Sequence, residues 1–119
     1  MNFNSILIGS EKPERLVEYY SKIFGDPGFS EGGYTGWQLG TGYVTVGPHD
    51  QVKGENKEPG RLLWNIETAD VRGEFERLRT AGATVVREPY APGGDDAPDM
   101  LVATFADPDG NYFQLASPM

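Results

Sequence analysis

The sequence repeats one order of predicted elements, and this duplication limits the possible folds more than any other feature. An apolar strand at 4–10 precedes an amphipathic helix at 13–25, and two or three glycine-broken strands follow. After a polar segment at 48–60, the order returns with a strand at 61–68, a helix at 70–82 and three more strands. The pattern predicts an α+β fold in which two β-α-β-β-β modules form a curved mixed sheet around a trough.

Matching positions in the two halves support the duplication. Ile8 matches Ile66, and YVTV at 43–46 matches YFQL at 112–115. A chain of 119 residues is long enough for one compact domain. We therefore expect a single domain over 1–119.

The module boundaries follow from the change in composition. Modules are expected at about 1–50 and about 60–119, joined by a polar linker at about 51–59 that has no hydrophobic periodicity.

Charge and composition narrow the possible partners. Ten basic residues against eighteen acidic ones give a net charge of −8. Such a chain is repelled by phosphate backbones and anionic membranes, so we expect neither nucleic acid nor a membrane as partner, and the field favours a cationic small ligand. Cysteine is absent, which removes thiolate catalysis and cysteine-bound zinc. The start of the chain lacks the pattern of a signal peptide, so a cytoplasmic location is expected.

A turn near the end of the chain can be read residue by residue. Pro108 fixes one turn dihedral, Asp107 and Asp109 suit the flanking positions, and Gly110 supplies a positive φ. Two carboxylates without further oxygen ligands at EF-hand spacing predict a hairpin turn and no calcium site.

The opening ILIGSEKPERLVEYYSKIFG at 6–25 and the ending FADPDGNYFQL at 105–115 resemble the vicinal oxygen chelate superfamily. That group includes glyoxalase I, bleomycin-resistance proteins, fosfomycin-resistance enzymes and extradiol dioxygenases. The resemblance covers essentially the whole chain and implies the fold and a homodimer. It does not select a reaction, because the superfamily contains lyases, oxygenases, isomerases and pure binders.

Enzymes of this superfamily hold a divalent metal with His or Glu, and sometimes Gln, from the first and last strand of each module. The resemblance places these positions at Phe3 or Ser5, at Thr45, at Arg61 and at Gln114. Only Gln114 is a reasonable donor, since Phe does not coordinate and Arg repels a cation. We therefore predict no metal and no other cofactor.

Strand alternation brings further side chains into the expected trough. Tyr43 shares a face with Thr45, and Tyr112 shares one with Gln114. Two interpretations stay open for Gln114, which either orients a ligand or bonds internally, and for Arg61, which either binds an anion or is exposed. The predicted ligand-binding residues are Thr45, Arg61, Asn65, Gln114, Tyr43, Tyr112 and Trp37.

The sequence favours metal-independent binding of a small aromatic or cationic organic molecule, as in the drug-binding resistance proteins. One alternative is a metal-dependent lyase or dioxygenase that uses Gln114, His49 and Glu67 as ligands. Another is a metal-free isomerase or cyclase, with Arg61 and Gln114 stabilising an oxyanion and a tyrosine or His49 moving the proton. A stand-alone accessory domain without a ligand is a third possibility. Catalytic residues are not assigned.

Overall fold

The computed structural model describes residues 1–119 and divides into two compact units, Met1–Glu55 and Asn56–Met119. The elements of the first unit are β1 (Ser5–Ser10), α1 (Pro13–Phe24), β2 (Phe29–Glu31), β3 (Tyr34–Leu39) and β4 (Gly42–Pro48). Those of the second unit are β5 (Trp64–Glu67), α2 (Val71–Thr80), β6 (Thr84–Tyr90), β7 (Val102–Ala106) and β8 (Tyr112–Ala116). The predicted repeat of strand, helix and three strands is confirmed.

Each unit contains one four-stranded mixed sheet, and the two sheets have the same topology. The strand orders are β1-β4-β3-β2 and β5-β8-β7-β6. In each sheet the first and last strands of the unit pair in parallel, and the remaining neighbours pair antiparallel. The α+β fold of two β-α-β-β-β modules with mixed sheets is therefore confirmed.

Both helices begin and end where the sequence predicts. Pro13 stands in the first turn of α1, and Gly25 follows its last turn with a φ of +86°. The side chain of Asp70 caps α2 by accepting a hydrogen bond from the backbone N–H of Gly73 at 2.9 Å. Neither helix is long and apolar enough to cross a membrane.

Each helix packs on one face of the sheet in its own unit. In the first unit, Tyr20 of α1 meets Trp37 of β3 with ring centroids 6.0 Å apart, and Val44 is buried beside them. In the second unit, Phe75 of α2 meets Phe105 of β7 at 5.5 Å. Each fully buried large apolar side chain contributes about 1.5–3 kcal/mol, so these faces supply most of the stability.

One strand is shorter than predicted. The expected strand at 61–68 begins only at Trp64, because Pro59–Arg61 form a 3₁₀ turn. In this turn the backbone N–H of Arg61 donates a hydrogen bond to the Glu58 carbonyl at 3.0 Å. Arg61 therefore lies outside the sheet.

The predicted hairpin turn joins β7 to β8. The Asp107 carboxylate accepts hydrogen bonds from the backbone N–H groups of Asp109 at 2.9 Å and of Asn111 at 3.0 Å. Gly110 has a φ of +81°. The backbone N–H of Asn56 donates to the Asp109 carbonyl at 2.8 Å, which fixes the start of the second unit to this turn. Asp107 is thus used as a turn residue.

Candidate functional site: the open faces of the two sheets

Each sheet has a second face opposite its helix, which we call the open face. Alternation along β8 shows the division, since Phe113 and Leu115 are buried on the side of α2. Tyr112, Gln114 and Ala116 alternate with them and point to the open face. The same alternation on β4 buries Val44 and Val46 and turns Tyr43, Thr45 and Gly47 to the open face of the first sheet.

The open face of the first sheet is centred on Thr45. Thr45 pairs with Leu7 of β1 and with Gly36 of β3, and Gly36 pairs with Phe29 of β2. We call Leu7, Thr45, Gly36 and Phe29 the first central row. Thr45 is half-buried, and its hydroxyl bonds to no other side chain.

Two aromatic rings on this face lie directly against glycine. A Cβ built on Gly36 would overlap the ring of Phe29, and one built on Gly47 would overlap the ring of Tyr34. The absence of a side chain at both glycines lets each ring lie on the backbone of the neighbouring strand.

These rings remain accessible. Phe29, Tyr34 and Tyr43 are 40%, 39% and 38% exposed, and Leu7 is 53% exposed. The face therefore presents an apolar, aromatic surface around one hydroxyl group, and such a surface suits the flat side of an organic ring.

The open face of the second sheet is polar at the corresponding positions. Gln114 pairs with Asn65 of β5 and with Thr104 of β7, and Thr104 pairs with Arg87 of β6. We call Asn65, Gln114, Thr104 and Arg87 the second central row. The Gln114 Nε2 donates to the Thr104 Oγ1 at 3.0 Å, which leaves the amide oxygen as an acceptor.

Arg87 reaches this face because β6 is irregular. The pairing with β7 shifts between Val85 and Arg87 and again between Arg87 and Tyr90. Each shift adds one residue to β6, so Arg87 and Tyr90 share the open face although they are three positions apart. The Arg87 guanidinium carbon lies 3.4 Å from the centroid of the Tyr90 ring.

Arg87 was not among the sequence-predicted site residues. Strict alternation places Arg87 on the face of Val85, which is the core side. No residue in TVVREPY marks the bulges unambiguously, although Pro89 indicates an irregular or edge strand.

Five of the predicted ligand-binding residues lie on strands with their side chains on an open face. Thr45 and Tyr43 belong to the first sheet, and Asn65, Gln114 and Tyr112 belong to the second.

The other two lie elsewhere. Trp37 is 2% exposed in the core, where its Nε1 donates to the Gly25 carbonyl at 2.9 Å. Arg61 is exposed, and its Nη2 pairs with the Glu58 Oε2 at 2.8 Å.

His49 lies closer to the first open face than its polar loop suggests. A Cβ on Gly9, which pairs with Gly47, would come within 2.9 Å of the His49 Cβ. The backbone N–H of Gln51 donates to the His49 Nδ1 at 3.2 Å, which leaves the Nε2 as the ring nitrogen available to a ligand.

Neither the ligand positions that the resemblance implies nor the residues beside them fit a divalent centre. Phe3 and Arg61 are exposed outside the strands, and Ser5, at the start of β1, offers only a hydroxyl.

By register, the central open-face residues of the parallel strand pairs are Leu7 and Thr45 in the first unit and Asn65 and Gln114 in the second, and Glu67 lies one open-face position beyond Asn65. The central residues offer one hydroxyl, two amides and one hydrocarbon, with no carboxylate or imidazole among them. Nor does the structure group three or more His, Cys, Asp or Glu side chains in a way that could hold an ion. We therefore derive no metal-dependent step.

A separate cavity of about 320 Å³ lies in the second unit. It is lined by Arg72, Phe75, Glu76, Glu88 and Pro89, which belong to α2 and β6. Phe75 packs on the helix side of the sheet, so this cavity is not on the open face. None of the sequence-predicted site residues lines it.

Known proteins share this architecture. A family model described as a glyoxalase-like domain matches residues 5–116. A glyoxalase/bleomycin resistance protein/dioxygenase family enzyme from Burkholderia phytofirmans PsJN has a TM-score of 0.73 at 16% identity, with both chains fully covered. A glyoxalase-related enzyme from Fulvimarina pelagi has a TM-score of 0.72 at 22% identity, over 99% of this chain and 88% of that one.

TioX from Micromonospora sp. ML1 is also similar, with a TM-score of 0.70 at 17% identity and full coverage of both chains. No curated protein sequence matches this chain. Identities this low establish the shared fold alone. The fold is that of the vicinal oxygen chelate superfamily, and the chain belongs to its glyoxalase-like domain family.

Proposed function

We propose that this chain is a metal-independent binding protein for a small organic molecule that carries an aromatic ring. The observation that carries the proposal is the open face of the first sheet. There the Phe29 and Tyr34 rings lie against Gly36 and Gly47, on the same face as the half-buried Thr45. A monomeric fold does not require exposed rings supported in this way, and an aromatic ligand would complete the stacks.

The energetic scale is adequate for a specific small ligand. Each offset or edge-to-face ring contact contributes about 0.5–1.5 kcal/mol beyond the burial of area. Tyr43 and Leu7 add apolar surface next to Thr45, and burial of that surface contributes about 25 cal/mol per Å². The Thr45 hydroxyl offers one directional hydrogen bond.

The donor set supports the metal-independent part of the proposal. On the first open face, ligand orientation would come from the neutral hydroxyl of Thr45. The corresponding positions of the second sheet also carry neutral groups, the amides of Asn65 and Gln114. The net charge of −8 favours a cationic ligand at long range, whereas Arg87 favours an anion locally. The proposal therefore specifies an aromatic ring in the ligand and leaves the charge of the ligand open.

An NMR titration with isotope-labelled protein tests the proposal. We would titrate a panel of bicyclic aromatic compounds in chelator and follow the backbone amides of β3 and β4. The variant Phe29→Ser should weaken binding of any hit at least about tenfold, because it removes a stacking ring. The matched control is Leu62→Ser, which removes an exposed apolar side chain outside the strands.

Two results would contradict the proposal. One is a panel that gives no shifts on β3 or β4. The other is equal loss of binding in Phe29→Ser and Leu62→Ser.

The resemblance also leads us to expect a homodimer, and light scattering measures it directly. If Phe29→Ser or Tyr43→Ser converts a dimer into a monomer, the exposed rings belong to a protein interface and the ligand proposal loses its main support. A dimer that persists in both variants keeps the rings available for a ligand.

His49 favours one second candidate, a metal-free isomerase or cyclase. With its Nδ1 engaged by the Gln51 N–H, His49 has its Nε2 available for proton transfer with a ligand beside the first open face. Any turnover of a bound compound should then fall at least about a hundredfold in His49→Gln while its affinity changes little. Unchanged turnover in that variant would remove His49 from the chemistry.

A further inference from the structure

The open face of the second sheet carries a cation that the proposed aromatic site does not explain. Arg87 ends the second central row, next to the hydroxyl of Thr104 in register. No carboxylate lies within ion-pair distance of Arg87, whereas Arg61, Arg77 and Arg79 each pair with a glutamate. Arg72 of α2 also lacks an ion pair, but it lines the cavity on the helix side, so Arg87 is the unpaired arginine on an open face.

The bulges of β6 and the ring of Tyr90 together fix the position of the Arg87 side chain. Two bulges in β6 turn Arg87 and Tyr90 to the same face, and the guanidinium lies on the Tyr90 ring at 3.4 Å. Stacking on the Tyr90 ring fixes the orientation of the planar guanidinium group. Its N–H groups point outward from the edge of that plane and stay available for hydrogen bonds to a ligand. A guanidinium edge matches the two oxygens of a carboxylate.

The surroundings of Arg87 suit an acid with an apolar body. The rows beside the second central row carry small or apolar side chains, namely Ala106 and Tyr112 on one side and Ala116, Val102 and Tyr90 on the other. The acid on this face, Glu67, is on β5, three strands away from β6 and therefore about 14 Å distant. Repulsion of an incoming carboxylate by Glu67 is correspondingly weak.

We infer that Arg87, supported by Tyr90 and flanked by Thr104, is a specificity-determining residue that selects ligands with a carboxylate group. On this inference, which rests on the proposed function, the ligand class of the second open face is a carboxylic acid with an aromatic or otherwise apolar body. A phosphate ester fits less well, because a dianion meets one cation in a chain of net charge −8.

Three nearly isosteric probes test the inference: 2-naphthoate, 2-naphthamide and 2-naphthamidine, which carry charges of −1, 0 and +1. Dissociation constants come from NMR titration of the full chain in chelator. We expect naphthoate to bind about tenfold or more tightly than naphthamide, and naphthamidine to bind most weakly. Shifts on β6 and β7 should accompany naphthoate binding.

Variants assign the effect to one residue. Arg87→Met should remove the preference for naphthoate while leaving naphthamide binding unchanged. Arg87→Lys should retain part of the preference, because it keeps the charge and loses the planar fork. The matched control is Arg61→Met, which deletes the same charge from an exposed site outside the sheet and should leave all three constants unchanged.

The outcomes separate this inference from the proposed function. If the three probes bind alike, or naphthamidine binds most tightly, the carboxylate inference is overturned and aromatic binding stands. If Arg87→Met and Arg61→Met lose the preference equally, Arg87 is not the selecting residue and the inference also falls. If none of the probes binds, both proposals fail.

Discussion

The two sheets have the same strand order and, apart from the bulges of β6, a matching register, yet their open faces differ in chemistry at every position of the central row. Leu7, Thr45, Gly36 and Phe29 in the first sheet correspond to Asn65, Gln114, Thr104 and Arg87 in the second. The first row is apolar with one hydroxyl, and the second consists of amides, a hydroxyl and a guanidinium. Duplication therefore fixed the positions, whereas the side chains set the chemistry of each face separately.

The helix faces of the same sheets did not diverge in this way. Val44 and Val46 in the first sheet and Phe113 and Leu115 in the second are all buried and apolar. Packing against a helix tolerates few changes of polarity, because a buried polar group without a partner costs free energy. The open faces are free of that constraint and can carry specificity.

The largest expected difference in the free energy of unfolding is between substitutions on the two faces of β8. Phe113→Ala should destabilise the protein by about 3–5 kcal/mol, because Phe113 is fully buried and stacks on Phe105 at 5.4 Å. Tyr112→Ala, one residue earlier and half-buried on the open face, should cost less than about 1 kcal/mol. Urea unfolding monitored by circular dichroism measures both, and equal costs would contradict the assignment of faces.

The closing hairpins of the units provide the next comparison. Asp107→Ala should cost about 1–3 kcal/mol, because two backbone N–H groups in the β7–β8 turn lose their acceptor. Asp107→Asn keeps an acceptor oxygen and should cost clearly less. The β3–β4 turn of the first unit depends instead on Gly40 with a φ of +62°. If Asp107→Ala and Asp107→Asn cost the same, the carboxylate bonds do not stabilise the turn.

The two central positions should differ by a smaller amount. Gln114→Ala should cost about 1 kcal/mol, because the nearly buried Thr104 hydroxyl loses its donor. Thr45→Ala at the corresponding position should change stability by less than about 0.5 kcal/mol, since no side-chain bond is lost. The double variant Gln114→Ala with Thr104→Val should recover part of the cost of the single change, and the absence of recovery would argue against the bond.

Gly47→Ala should have the smallest effect on stability, within about 0.5 kcal/mol, because the exposed Tyr34 ring can move away. Binding of an aromatic ligand should weaken all the same, since the ring loses its place on the sheet. NMR chemical shifts of the Tyr34 ring, compared with those of Tyr112 as an internal control, report the movement. An unchanged Tyr34 environment would contradict the supporting role of Gly47.

Much of the architecture follows from the sequence, and the reasons are physical. The helices and strands can be recognised from the 3.6-residue and 2-residue spacing of apolar side chains. The helix ends are marked by Pro13, Gly25 and Asp70. Both signals depend only on residues that are close in sequence. The beginning of β5 was predicted three residues early, because the 3₁₀ turn at Pro59–Arg61 depends on local hydrogen bonds with no hydrophobic signature.

The site was less accessible to sequence reasoning. Thr45 and Gln114 were found because they occupy matching positions in the duplicated strands. Arg87 was missed because bulges depend on pairing with a neighbouring strand, and the sequence of one strand does not contain that information. The rings over Gly36 and Gly47 were missed for a related reason, although glycine inside a strand signals a close approach.

The central claim is that ligand binding by these faces needs no divalent ion, and one measurement tests it most directly. The affinity for 2-naphthoate is measured by NMR titration in chelator and again with saturating Zn²⁺, Ni²⁺ or Mn²⁺. We predict dissociation constants that agree within about twofold under all conditions, a difference of about 0.4 kcal/mol. Binding that requires one of these ions, and that Gln114→Ala abolishes together with ion binding, would contradict the account.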